Sequence, residues 1–267
     1  MNDYKKPQNK KLQMQLFILL FFGIISLRQE KSQWGDNMKI AGLEKLSVQD
    51  YPNHISCIIF TQGCNMRCPY CQNSTLIDTN TNANISEDEV FDYLTLRKNV
   101  LNGVTISGGE PTIQPDLKNF IKKVKNIGFD VKLDTNGINY NVLEELIDEK
   151  MVDYVAMDIK NVFGKYDLTT GVKGINIKNI EKSIELLKLK KVDYEFRTTI
   201  IAEHHTLQDI YEIVKLIGDS KYYLQNFKSS ENVLDISLTG FSEEKLNLWN
   251  EIFKERENVF IRGIDKN

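Results

Sequence analysis

From residue 38 onward, short apolar runs alternate with stretches in which apolar residues return every three or four positions. The runs read as buried strands and the periodic stretches as helices with one apolar face. "ISCIIF" (55–60) is the first run. A helix then starts at Ser86, where Ser86 and Glu89 have capping-box spacing ahead of Val90 and Leu94. "GVTIS" (103–107) is the next strand. Leu117, Phe120, Ile121, Val124 and Ile127 follow on one helical stripe, and Gly128 supplies the stop. "FDVKL" (129–133) precedes a helix over 141–149, and "DYVAM" (153–157) precedes one over 177–190. "DYEFRTTII" (193–201) comes before a helix from 206, whose Leu207, Ile210, Val214 and Ile217 form a stripe ending at Gly218. "KYYLQNF" (221–227) is the sixth strand, and a helix over 242–255 leads to a short strand, "NVFIR" (258–262).

Six strand-then-helix units predict a parallel α/β sheet with right-handed crossovers, either open or curled into a barrel. In such folds ligands gather at the carboxyl ends of the strands. The unusual residues all fall there. "CNMRCPYC" (64–71) follows the first strand, "SGGEP" the second and "DTNG" the third. "MDIK" ends the fourth strand, "RTT" lies late in the fifth and "QNF" ends the sixth. One rim of the fold therefore carries every candidate.

Composition narrows the function classes. The 267 residues carry a net charge of −3 and a pI near 5.8, which points to neither nucleic acid nor an anionic membrane as a partner. Four cysteines, three of them crowded together, point to a reducing cytoplasm. The first 37 residues differ from the rest. Residues 1–11 hold four lysines, and "LFILLFFGIISL" (16–27) is a mostly apolar run of twelve. A spanning helix needs about 20 such residues. The run looks like the apolar segment of a signal peptide without an obvious cleavage site. The expectation is an extension over 1–37 ahead of one domain over 38–267, with Met38 as the true start and a membrane anchor as the alternative.

Cys64, Cys68 and Cys71 are spaced four and then three residues along the chain, with no fourth cysteine nearby. A zinc site closes with four ligands, and a disulfide framework needs an even count in an oxidising compartment. Three thiolates on one loop suit a metal cluster that keeps one corner open. The competing reading is zinc completed by one of the three histidines, His54, His204 or His205. Cys57 lies inside an apolar run, where free cysteine is usually buried packing.

"CNMRCPYC" resembles the CxxxCxφC signature of the radical S-adenosylmethionine superfamily, with Tyr70 as the aromatic position. The run from "MKIAGLEKLSVQDYP" through "SGGEP", "LDTNG", "MDIK" and "EFRTT" to "YYLQNF" is similar, more narrowly, to the activating proteins of anaerobic ribonucleoside-triphosphate reductase, relatives of the pyruvate formate-lyase activases. The resemblance covers residues 38–262 and implies a partial (β/α)6 TIM-like barrel. It implies a 4Fe–4S cluster on Cys64, Cys68 and Cys71, whose fourth iron takes S-adenosylmethionine. It places Tyr70 near the adenine, with Gln72 following the motif where relatives often have histidine. Gly108, Gly109 and Glu110 meet the methionine portion. Asp134, Thr135 and Asp158 border a monovalent-cation site, Lys160 approaches the ligand carboxylate, and Arg197 is a further contact or a strand ion pair. The resemblance further implies a glycyl-radical enzyme as partner and a flavodoxin- or ferredoxin-type electron donor. A radical enzyme acting on a small molecule is the alternative.

Overall fold

The structure, a computed structural model, describes residues 37–81 and 85–262. Apart from Asn37, the expected extension over 1–37 lies outside the described residues. Seven strands run parallel and pair in chain order: β2 (Ser56–Thr61), β3 (Gly103–Gly108), β4 (Asp130–Thr135), β5 (Tyr154–Asp158), β6 (Asp193–Ile200), β7 (Tyr222–Asn226) and β8 (Val259–Arg262). Helices fill the crossovers. They are α1 (Glu87–Arg97), α2 (Leu117–Ile127), α3 (Tyr140–Asp148), α4 (Tyr166–Thr170), α5 (Ile177–Lys188), α6 (Leu207–Ile217) and α7 (Glu243–Phe253). α4 and α5 share the β5–β6 connection.

The parallel strands are apolar runs because both of their faces are covered. Val104, Ile106, Val131, Leu133, Val155, Met157 and Phe196 are all buried. The stripe expected on α2 is also buried through Leu117, Phe120, Ile121 and Val124. Local chemistry sets the helix starts. Ser86 and Glu89 form the capping box of α1, and Thr206 and Asp209 form a second one at α6. Observed boundaries differ from the expected ones by a residue or two, as frayed ends do.

One strand escapes the apolar-run pattern. β1 (Ile40–Ser47) pairs antiparallel with β2, with Ile40 opposite Thr61 and Ser47 opposite Ser56. Only Ile40 of β1 is buried, and its middle faces solvent, so its residues form no apolar run. β1 and β8 end the sheet on its two sides, and among the described residues they do not pair with each other. The fold is an α/β partial TIM-like barrel: six units from β2 to β7, extended by β8 and edged by β1. No helix among the described residues is long and apolar enough to cross a membrane.

Candidate active site

The cysteine loop leaves β2 and is tied down from three sides. Gly63 N and Cys64 N donate to Leu76 O (2.7 Å) and Ile77 O (3.1 Å), folding the loop back on itself. On one flank Arg67 N donates to Thr170 O (2.8 Å) at the end of α4, and the Arg67 guanidinium reaches Cys64 O (2.7 Å) and Met66 O (2.8 Å). On the other flank the segment after β7 crosses over. Asp235 N donates to Pro69 O (2.9 Å), Gln72 Nε2 donates to Lys228 O (2.8 Å), and the Ser74 hydroxyl donates to Asn232 O. The loop is fixed mainly through its backbone; of the contacts made to its sulfurs, Met66 N donates to Cys64 Sγ at 3.4 Å.

Burial pushes the Cys64 thiol up to about 12 and raises those of Cys68 and Cys71, while the nearby Lys160 ammonium pulls all three back. A metal that takes these sulfurs therefore displaces protons from them. Among the described residues no three Cys, His, Asp or Glu side chains converge to hold a single ion. The Tyr70 hydroxyl is buried beside the Cys68 thiol with no oxygen or nitrogen partner, and its ring meets His204 and Phe227 edge-on. Such an orphaned polar group in a cavity wall fits a site shaped for a bound ligand.

Opposite the loop, the strand ends carry a network of paired charges. Arg197 Nε donates to Asp158 Oδ1 at 2.9 Å, and its Nη1 lies 3.4 Å from Asp134 Oδ2. Lys160 Nζ donates to Asp158 Oδ2 at 3.0 Å. Lys132 Nζ donates to Asp134 Oδ1 at 2.7 Å, and Ser107 Oγ donates to Asp134 Oδ2 at 2.9 Å. Burial alone would raise the Asp158 carboxyl, but Arg197 and Lys160 bring it down to about 2. The same balance, with Arg197 and Lys132 as the cations, lowers Asp134. Side chains of the chain itself thus offset the mutual repulsion of these two carboxylates.

Glu110 has a structural job. Its carboxylate is 1% exposed and accepts from Thr135 Oγ1 (2.8 Å), Asn136 N (2.7 Å), Thr112 N (3.1 Å) and the Thr112 hydroxyl. Burial raises its carboxyl against these donors. It fastens the turn after β3 to the end of β4. Next to it, a Cβ on Gly109 would lie 2.0 Å from Gly63 O, so only glycine lets this turn pack against the cysteine loop.

The cysteine loop, the Gly-Gly-Glu turn and the charged strand ends wall one cavity of about 420 Å³ at the carboxyl ends of the strands. Every residue expected from the sequence lines it: Cys64, Cys68, Tyr70, Cys71, Gln72, Gly108, Gly109, Glu110, Asp134, Thr135, Asp158, Lys160 and Arg197. Cys57 does not; it is fully buried in mid-β2, opposite Val104. The sequence reading did not single out Asp50, Ser107 or Thr199, which also line the cavity, or Lys132 behind it. A signal for Lys132 was present. In "KLDT", Lys132 and Asp134 are two apart on one strand and so share a face.

Comparison with known proteins shows the family to which the chain belongs. The profile of the radical SAM superfamily matches residues 58–217. A Methanocaldococcus jannaschii protein named as a glycyl-radical enzyme activating enzyme is 38% identical over 197 residues, covering 72% of this chain and 81% of that protein. The pyruvate formate-lyase-activating enzyme of Clostridium pasteurianum is 30% identical over 217 residues, covering 79% of this chain and 87% of that enzyme. Among solved structures, Streptococcus suis SuiB bound to S-adenosylmethionine superposes with a TM-score of 0.60 at 18% identity. That match covers 76% of this chain but only 48% of SuiB, and it is a likeness of fold.

Proposed function

Since the chain belongs to the radical SAM superfamily and, within it, to the glycyl-radical enzyme activating enzymes, we propose that it installs a glycyl radical on a partner enzyme, an anaerobic ribonucleoside-triphosphate reductase. The observation that carries this reading is the convergence of the cysteine triple, the Gly-Gly-Glu turn and the charged strand ends on one cavity. The branch is supported by Gln225 and Asn226 closing β7, where pyruvate formate-lyase activases use a histidine.

In this reading Cys64, Cys68 and Cys71 would hold a 4Fe–4S cluster that keeps one iron open for S-adenosylmethionine. When bound, the cluster and its ligand supply a 5′-deoxyadenosyl radical able to take a hydrogen atom from glycine. The residues of the chain bind, orient and shield. Lys160, held by Asp158, and Arg197, held by both aspartates, present positive charge to the ligand carboxylate. Tyr70 offers an aromatic wall to the adenine. Gly108 and Gly109 let the methionine portion approach the backbone, and Glu110 and Thr135 keep that turn in place. Water must be kept out while the radical exists, and a partner seated on the open rim would complete that exclusion. Three free thiols and a low-potential electron donor, of flavodoxin or ferredoxin type, both belong to a reducing cytoplasm.

The test is anaerobic mixing of the reconstituted, reduced protein with S-adenosylmethionine and the reductase. The expected result is a doublet in electron paramagnetic resonance, with release of 5′-deoxyadenosine and methionine. Stoichiometric consumption of a small metabolite, with no radical on any candidate reductase, would replace this reading with the small-molecule alternative.

A further inference from the structure

Lys132 is 1% exposed, yet its ammonium sits among carboxylates, 2.7 Å from Asp134 Oδ1 and 3.4 Å from both oxygens of Asp50. An ammonium buried this far is tolerated only when paired and hydrogen-bonded. Asp50 comes from the turn after β1, so this one side chain links the edge hairpin to the end of β4. The charges of the whole network balance. Asp50, Asp134 and Asp158 face Lys132, Lys160 and Arg197. Lys160 and Arg197 line the cavity, whereas Lys132 is not among its lining residues and pairs, among the described residues, with the two aspartates.

Removing that ammonium would leave three carboxylates against two cations, in a place that must also receive an anionic ligand group. Like charges so close cannot all stay ionised without a compensating ion. The gap left between Asp50 and Asp134 would be about the size of an ammonium, flanked by carboxylate oxygens from both sides. A weakly hydrated monovalent cation is the species suited to it.

We propose that Lys132 is the built-in monovalent cation of this site, a positioning residue that holds Asp134 in place and makes the protein indifferent to dissolved potassium or sodium. The inference rests on the reading above that the cavity binds S-adenosylmethionine, and it replaces the free cation implied by family resemblance with a tethered one.

The test compares wild type with Lys132→Met, which keeps the length but loses the charge, in chloride salts of potassium, sodium and tetramethylammonium at equal ionic strength. Two readouts are taken: the thermal midpoint of the cluster-free protein, and the affinity of the reconstituted protein for S-adenosylmethionine by equilibrium dialysis. Wild type should give the same values in all three salts. The variant should lose about tenfold or more in affinity in tetramethylammonium, as for loss of a charge-assisted contact, and regain most of it in potassium. Only the variant should gain thermal stability from potassium. Lys132→Gln, which keeps a donor towards Asp134 without the charge, should respond in the same way if the methionine variant does not fold.

A wild type that itself weakens about tenfold without potassium would overturn the proposal. So would variants that bind normally in every salt, or that lose affinity equally in all three, because a purely structural lysine gives no ion specificity. None of these readouts involves a partner enzyme. Absence of a glycyl radical would therefore count against the activase reading alone, whereas wild type that binds no S-adenosylmethionine in any salt would sink both.

Discussion

Asp158 receives Lys160 on one oxygen and Arg197 on the other, so it sets the direction of both cations. Asp158→Ala and Lys160→Ala should each weaken S-adenosylmethionine binding by about 1–3 kcal/mol without loss of iron, because neither side chain is a sulfur ligand. Unchanged affinity in both variants, measured by equilibrium dialysis, would remove them from the site. Cys57 provides the matching control. It is fully buried in mid-strand, so Cys57→Ala should keep full iron content while Cys64→Ala, Cys68→Ala and Cys71→Ala lose it. Acid stability follows from the same carboxylate. The Asp158 carboxyl ionises near 2 in the fold against an ordinary 3.8, so its stabilisation is present above the unfolded value and lost as pH falls through the folded one. The shift corresponds to at most about 2.5 kcal/mol. Denaturant melts should show the stability lead of wild type over Asp158→Asn narrowing below about pH 4. A lead that does not change with pH would mean that the carboxylate is not held by its cations.

At the scale of elements, the strands from β2 to β7 were legible because a parallel strand covered on both faces must be an uninterrupted apolar run. The long helices were legible through their stripes and stops. β1 was not, since an edge strand with one buried residue has no such run. Nor was α4, whose five residues are too few to show a period. The segment after β7 has no periodicity either, yet it contributes Lys228, Asn232 and Asp235 to the hold on the cysteine loop. The site residues were visible through their motifs, while Glu110 was read as a ligand contact and is engaged by four donors of the protein itself. α4 has a consequence of its own. Gly171, just past its end, has φ of +67°, and a Cβ there would lie 2.3 Å from Arg67 O. Gly171→Val should therefore push α4 off the cysteine loop, at about 1–3 kcal/mol for the strained backbone. Iron retained per chain after gel filtration should fall below that of wild type, and equal retention would show that the α4 contact is dispensable.

On the scale of the whole molecule, the described residues from Met38 to Arg262 include the eight paired strands and the cavity-lining residues named above. A protein beginning at Met38 should accordingly bind iron and cleave S-adenosylmethionine like the full chain; loss of either function on removing residues 1–37 would give that segment a role in the site. The strands pair in the order in which they occur, so each newly made strand finds its neighbour already in place. The hold on the cysteine loop follows a different order. Its three thiols are in the first third of the chain, but Gln72 and Ser74 are secured by carbonyls 156 and 158 residues later. On the ribosome, the thiols therefore emerge long before the segment that crosses over them. Until that segment is made, the loop lacks the contacts that cross over it from beyond β7.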